Sequence, residues 1–514
     1  MVSRSTLGAN LAYLGWIAQI RSCFLLAISK DRVRVSYYRI ACKLKISNFY
    51  YTVPPLHCPT HILYCMSSSI NTYIRRTRVS RRQLFMTMGV CIFKPTMTAF
   101  AVSNVECLNL ARSSHSISSG VGFLDHMMDQ FNSHAQLGVA ITINEKTDDH
   151  NRHAAMDQSV LLPLCGSELG KCVKKILKDV PVGASSRFCC PLDEALVECQ
   201  LAKKADDEGQ LVKFSLPPYG IYPRSTGRTK IGHMETKHVE GFMKGLAVAS
   251  GLEISLQKVR GDNGHHIVES AFKALSRALR NLLDGTTTNG YKSDEFMTLW
   301  GLDSESWKQS IALEREGKHD RNTKETSILV DLKLDGGVNG VTIETGIPTL
   351  NEIFEILAEE AKMSLTIKCR GDLHVDDHHT SEDVSIALGQ VLTKAFGTKA
   401  GLNRMWCARA EYGEAHIEVT MDLSNRPCLT HDLTLTEEEY VGGTLTTEML
   451  DHVLESLTMN AHMTVHIVEI QAGANVKDTA LATAMAFGRA LQMCAAVDPR
   501  RAGTTASSKG TLSV

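Results

Sequence analysis

The stretch GDLHVDDHHTSED, Gly371–Asp383, decides how this chain is read. On an α-helix His378 and Glu382 lie four residues apart and share a face, while His379 is turned away by about 100°. A second stretch, GHHIVESAFK (Gly264–Lys273), repeats the device with His265 and Glu269 on one face and His266 on another. Two apolar, helix-patterned segments each add one histidine: His126 in GFLDHMMDQF (Gly122–Phe131) and His452 in TEMLDHVLESL (Thr447–Leu457).

Working outward, the chain is a tandem repeat. Val121-Gly-Phe-Leu-Asp-His aligns with Ile347-Pro-Thr-Leu-Asn-Glu, and Gly264-His-His-Ile-Val-Glu aligns with Val476-Lys-Asp-Thr-Ala-Leu. Within each copy strands alternate with long apolar helices, as in Thr366-Ile-Lys-Cys and Val465-His-Ile-Val-Glu. The expected class is α+β, with helices packed on one face of a small sheet, four times over. The expected boundaries are a disordered extension and candidate targeting segment at 1–96, a first domain at 97–284, a linker at 285–320 and a second domain at 321–514.

Composition limits the alternatives. At 514 residues, 43% hydrophobic and 22% charged, the chain is long enough for two or three ordinary domains with ample core. A net charge of −1 and the lack of a basic, aromatic-interleaved stripe predict no nucleic-acid partner. Fifteen cysteines without CxxC spacing suit free thiols, and the adjacent Cys189 and Cys190 read as core strand residues. The first hundred residues differ: fourteen Lys/Arg stand against one acid, Asp31. An acid-poor, Arg- and Ser-rich segment of this kind predicts an organelle transit peptide, plastid included. The alternative is a true start at Met86 or Met88 and a cytoplasmic protein. Leu11–Ile28 is interrupted by Arg21, so no membrane span is expected.

The two His-His-x-x-Glu motifs predict a pair of metals. If the two helices approach about a twofold axis, each lends its odd histidine to the other's metal. The first metal would take His126, His265, Glu269 and His379, and the second His378, Glu382, His266 and His452. Three imidazoles and a carboxylate leave positions open for catalysis.

FLDHM, DLHVDDHHTSED, DLSNRP, GHHIVESAFKA and DPRRAGTTASSKG together resemble the imidazoleglycerol-phosphate dehydratase family. The resemblance implies half-domains of the ribosomal protein S5 domain 2 type. It also implies two manganese ions per site, a phosphorylated imidazole substrate and a large homo-oligomer with sites between neighbours. The implied reaction converts imidazole glycerol phosphate to imidazole acetol phosphate and water, in histidine biosynthesis. By the same resemblance Arg404, Arg426, Ser507, Ser508 and Lys509 of the second copy hold phosphate, and Gln130, His134 and Lys273 of the first touch substrate. Glu325 is the candidate for proton transfer.

The departures from the family pattern are complementary. In the first copy Arg152 and Met156 stand where His378 and Glu382 stand in the second, and Gly241 stands where His452 does. His153 there reads as a non-ligand. In the second copy Glu352 replaces the counterpart of His126, and Lys477, Asp478 and Leu481 replace the final motif. One complete site shared between the copies is therefore expected. The alternative is a catalytically inactive metal-binding structural or regulatory subunit; metal-dependent hydrolysis on another fold lacks its HExxH motif.

Overall fold

The computed structural model describes residues 117–144, 157–205, 212–285, 315–337, 340–435, 438–501, 503–507 and 512, with strand backbone also at 101–109 and within 26–52. It divides into Met1–Met97 and Thr98–Val514. In the first unit the backbone forms two antiparallel hairpins, Leu26–Ser29 with Arg32–Val35 and Lys43–Ile46 with Phe49–Thr52. The remainder of the 1–96 extension lies outside the described residues.

The second unit holds four sheets of three or four strands, two short two-stranded ribbons and eight long helices among the described residues. The helices are α1 (Gly122–Ala135), α2 (Gln158–Ile176), α3 (Val239–Ser250), α4 (Gly264–Leu283), α5 (Pro348–Glu360), α6 (His378–Phe396), α7 (Thr447–Asn460) and α8 (Val476–Ala495). The third sheet shows how each half is built. Glu316–Asn322 and Thr326–Lys333 form a hairpin, Ser364–Gly371 pairs antiparallel to it, and Val341–Glu344 joins parallel at the edge. A parallel pair needs a crossover, and α5 supplies it. Ile328, Val330 and Leu332 alternate inward along Thr326–Lys333, so one face is core and the other is partly exposed. The strand Glu316–Asn322 reaches back into the segment read as a linker, because its ladder to Thr326–Lys333 needs those residues.

The second sheet (Ser185–Leu192, Ala195–Lys203, Val212–Ser215, Leu252–Arg260) and the fourth (Met405–Tyr412, Ala415–Asp422, Cys428–His431, Thr464–Gln471) repeat this order. In the first sheet Ala101–Asn109, Gly138–Asn144 and Ile117–Ser118 are paired. Helices from the two halves of a copy face each other: α1 packs on α4 and α2 on α3, and in the second copy α5 packs on α8 and α6 on α7. The copies themselves meet elsewhere, with Ser185–Leu192 packed against three strands of the fourth sheet. Cys189 and Cys190 are buried, unbridged strand residues at this contact. Among the described residues no helix is long and apolar enough to cross a membrane.

Candidate metal centres

Each helix junction is a place where two helix starts converge, and among the described residues two of the four junctions carry a ligand trio. At α1·α4, Asn263 caps α4 by accepting the His265 backbone N–H at 2.9 Å, which sets His265 and Glu269 on the face toward α1. Glu269 Oε2 lies 3.0 Å from His265 Nε2 and 3.4 Å from His126 Nε2. Lys273 Nζ lies 2.8 Å from the other Glu269 oxygen. Burial pushes the Glu269 carboxyl up, but Lys273, His126 and His265 outweigh it and hold it well below the usual carboxylate range. The glutamate is thus an anion, as a metal ligand has to be.

At α6·α7 the same three types converge. His452 Nε2 lies 3.2 Å and His378 Nε2 3.8 Å from the Glu382 carboxylate, and the two rings stack at 5.3 Å. Asp377 places this pair: its carboxylate accepts from the Thr446 backbone N–H at 2.6 Å, tying the start of α7 to the start of α6. In each trio the candidate donor atoms lie within 4.8 Å of one another. Two imidazole nitrogens and a carboxylate oxygen suit manganese, iron or zinc, with positions left open.

His266 and His379 do not join the trios to which their spacing assigned them. Within one chain the copies meet through strands of the second and fourth sheets, and neither odd histidine is among the donors of the other copy's trio. Each is instead held at Nδ1 by a carboxylate: His266 by Glu194 at 2.7 Å, His379 by Asp372 at 3.0 Å. Those bonds raise the pKa of both rings. They also direct Nε2 away from the acid, the arrangement by which a carboxylate orients a metal-binding histidine. Asp372 lies within the quoted motif; Glu194 is in a hairpin turn, where spacing carries no signal.

The other two junctions are closed by different means. At α5·α8, Lys477 Nζ lies 2.7 Å from Glu352 Oε2, and Leu481 is fully buried where Glu269 stands in the first copy. An ammonium and a carboxylate replace the metal and its histidines. At α2·α3 the described helix begins only at Gln158, capped by Asp157, six residues after the position that corresponds to His378. The helices then touch backbone to backbone: a Cβ on Gly245 would come within 2.3 Å of the Pro163 carbonyl oxygen, and one on Gly241 within 3.0 Å of the Pro163 ring. Among the described residues no ligand trio is found at this junction. Arg152, His153 and Met156 lie outside the described residues.

Comparison with known proteins bears on the same elements. The sequence pattern of the imidazoleglycerol-phosphate dehydratase family matches residues 119–279 and again 345–491, more than half of the chain. The chain belongs to that family. The chloroplastic imidazoleglycerol-phosphate dehydratase 1 of Arabidopsis thaliana is 41% identical over 211 residues, covering 41% of this chain and 76% of that protein. The Gloeobacter violaceus dehydratase is 40% identical over 192 residues, 37% of this chain and 95% of that protein. The crystal structure of the Staphylococcus aureus dehydratase aligns at 28% identity with a TM-score of 0.32, covering 36% of this chain and 98% of that one.

Of the substrate positions implied by the family resemblance, Gln130, His134 and Lys273 lie on α1 and α4, and Arg404 and Arg426 of the second copy lie near enough to act electrostatically on His134 and Glu269 respectively. Gln130, His134 and Lys273 are buried in the first copy. Burial, followed by the charges of Arg277, Lys273, Arg404 and Arg501, pushes the His134 pKa well down, and its Nδ1 is buried without a hydrogen-bond partner. Two of these cations come from the second copy. Arg404 is buried, with a two-point bond to Asp422 (2.7 and 2.9 Å) and a third bond to the Ala506 carbonyl, so it anchors the tail beside the buried Ser507. Ser508 and Lys509 lie outside the described residues. Arg426 reaches across to Asp193 of the first copy at 2.6 Å. Glu325 sits exposed in the turn Thr323–Thr326, near enough to His379 to contribute to that ring's raised pKa. Arg187, the first-copy counterpart of Arg404, instead binds Glu198 and Glu418 at the contact between copies.

Proposed function

We propose that this chain is a hydro-lyase of histidine biosynthesis that dehydrates imidazole glycerol phosphate to imidazole acetol phosphate at a composite two-metal site. One observation carries the reading: of four equivalent helix junctions, two keep a full His, His, Glu trio, one in each copy, and these are the two that a shared site requires. Random decay has no reason to spare that combination. The α1·α4 trio is the first metal's, with substrate groups from both copies beside it. The α6·α7 trio of a neighbouring chain is the second metal's, with His266 and His379 exchanged between chains. Such an exchange would require self-association, in line with the large homo-oligomer that the family resemblance implies.

Divalent metal, manganese by family resemblance, supplies Lewis-acid charge to the imidazole ring. The chain's own groups do the rest. Arg426 and Lys273, with Ser507, Ser508 and Lys509, take the phosphate by charge-assisted bonds. Arg404 holds the tail that presents those hydroxyls. Neutral His134 and Gln130 line the buried wall, and Glu325 beside His379 moves the proton. A plastid location accords with the basic N-terminal segment. The test is metal analysis with a dehydration assay on the purified chain: turnover dependent on about two metals supports the reading, whereas bound metal without turnover supports a regulatory subunit instead.

A further inference from the structure

The turn between Ser185–Leu192 and Ala195–Lys203 consists of Asp193 and Glu194. Asp193 has φ +49°, in the left-handed region that side chains avoid. The equivalent turn of the second copy, between Met405–Tyr412 and Ala415–Asp422, places Gly413 there at φ +55°. Glycine is the residue such a turn prefers, so an aspartate held in it points to a use for the side chain. That use differs between the copies, because only the first retains a ligand trio on the helix beside its turn.

Asp193 touches both copies. Its Oδ1 accepts the Arg426 Nε–H at 2.6 Å, its Oδ2 lies 3.7 Å from His266 Nε2, and its carbonyl oxygen lies 2.8 Å from His466 Nε2. Arg426 and His466 belong to the second copy, His266 to the first. The grip on Arg426 is one-pointed. Nη2, on the same edge of the guanidinium as Nε, is buried and has no hydrogen-bond partner. Arg404 shows the contrast, because Asp422 occupies both of its equivalent donors.

We infer that Asp193 is a positioning residue: it fixes the direction of Arg426 through Nε and leaves Nη2 uncommitted for an anionic group of the substrate. This rests on the reading that Arg426 takes the phosphate. The physical gain is preorganisation. A long, half-exposed arginine loses rotamer freedom when it binds an anion, and a partner that holds it beforehand removes part of that cost. In the second copy's turn a Cβ on Gly413 would come within 2.4 Å of the Asp478 carboxylate, so the glycine there has a steric reason of its own.

The test uses the full-length chain with Asp193→Gly, Asp193→Asn and Arg426→Ala. Glycine is native to this turn in the second copy, so Asp193→Gly should melt no lower than the parent and bind the same amount of metal. Its KM should rise roughly tenfold, with the effect falling on KM more than on kcat. Asp193→Asn keeps an oxygen acceptor for Nε and should recover most of that loss. Calorimetry with inorganic phosphate should rank the three variants in the same order. A clear fall in melting temperature with unchanged KM would reduce Asp193 to a turn residue. A lower KM in Asp193→Gly would make it a competitor for Arg426 and overturn the inference. If Arg426→Ala raises KM and Asp193→Gly does not, the positioning role fails and the phosphate reading stands. If Arg426→Ala itself leaves KM and phosphate binding unchanged, the phosphate reading fails and the inference with it.

Discussion

Arg187→Ala should unfold the contact between copies without touching catalysis, the reverse of Arg426→Ala. Arg187 donates to Glu418 at 2.6 and 2.9 Å and to Glu198 at 2.9 Å, and the Glu418 side chain is only 5% exposed. Burial pushes the Glu418 carboxyl up, while Arg187 and then Arg409 hold it down, so removing Arg187 strands a buried charge. Breaking a buried pair by deleting one partner costs about 3–5 kcal/mol, and because Arg409 stays on Glu418 the low end, about 3 kcal/mol, applies here. With roughly 2–4 °C per kcal/mol for a domain of moderate size, the melting temperature should fall by roughly 6–12 °C. The assay is a thermal melt of chelated protein beside a KM measurement at permissive temperature. Arg187→Ala should lower the melting temperature and leave KM alone; Arg426→Ala, whose side chain is 41% exposed, should do the opposite. A raised KM without a thermal shift in Arg187→Ala would mean that the first copy keeps a working phosphate pocket, and the division between copies would be wrong.

Metal content should be about two per chain, one for each trio. Four by elemental analysis would show that the closed junctions still bind ions. The triple change Glu352→His, Lys477→His and Leu481→Glu should raise the content to about three, because it rebuilds at α5·α8 the trio that the ion pair replaced; no gain would mean that the helices there have drifted out of register. His134 should make the fold acid-sensitive. Its folded pKa is depressed, so above the unfolded value of about 6.5 both states are neutral and its contribution is fully present; as pH falls below that, the unfolded chain takes up the proton first and stability is lost. Melts of chelated protein from pH 7.5 to 5 should therefore slope less in His134→Gln, and parallel slopes would refute the assignment. Residues 97–300 and 315–514, produced separately, should each be inactive and recover activity when mixed with manganese. Full turnover by either fragment alone would sink the shared-site reading.

The ligand faces were legible in the sequence because a helix repeats every 3.6 residues, so His265 with Glu269 and His378 with Glu382 had to project together whatever surrounded them. The repeat also exposed which copy had lost which ligand, since Glu352 and Lys477 stand in plain alignment with His126 and His265. Their direct pairing was not legible, because two residues 125 positions apart meet only when α5 packs on α8. The same holds for the parting of His266 and His379 from the trios to which their spacing assigned them. Spacing says which way a side chain leaves its helix, whereas the element it then meets is set by how sheets and helices stack. Arg187 and Arg404 are equivalent by sequence, yet one locks the copies together and the other anchors the tail, since strand packing chose different acids for each. Periodicity is a property of the local backbone and travels with the sequence; the identity of a partner is decided by burial and chain reversal over hundreds of residues, and it exists only in the folded chain.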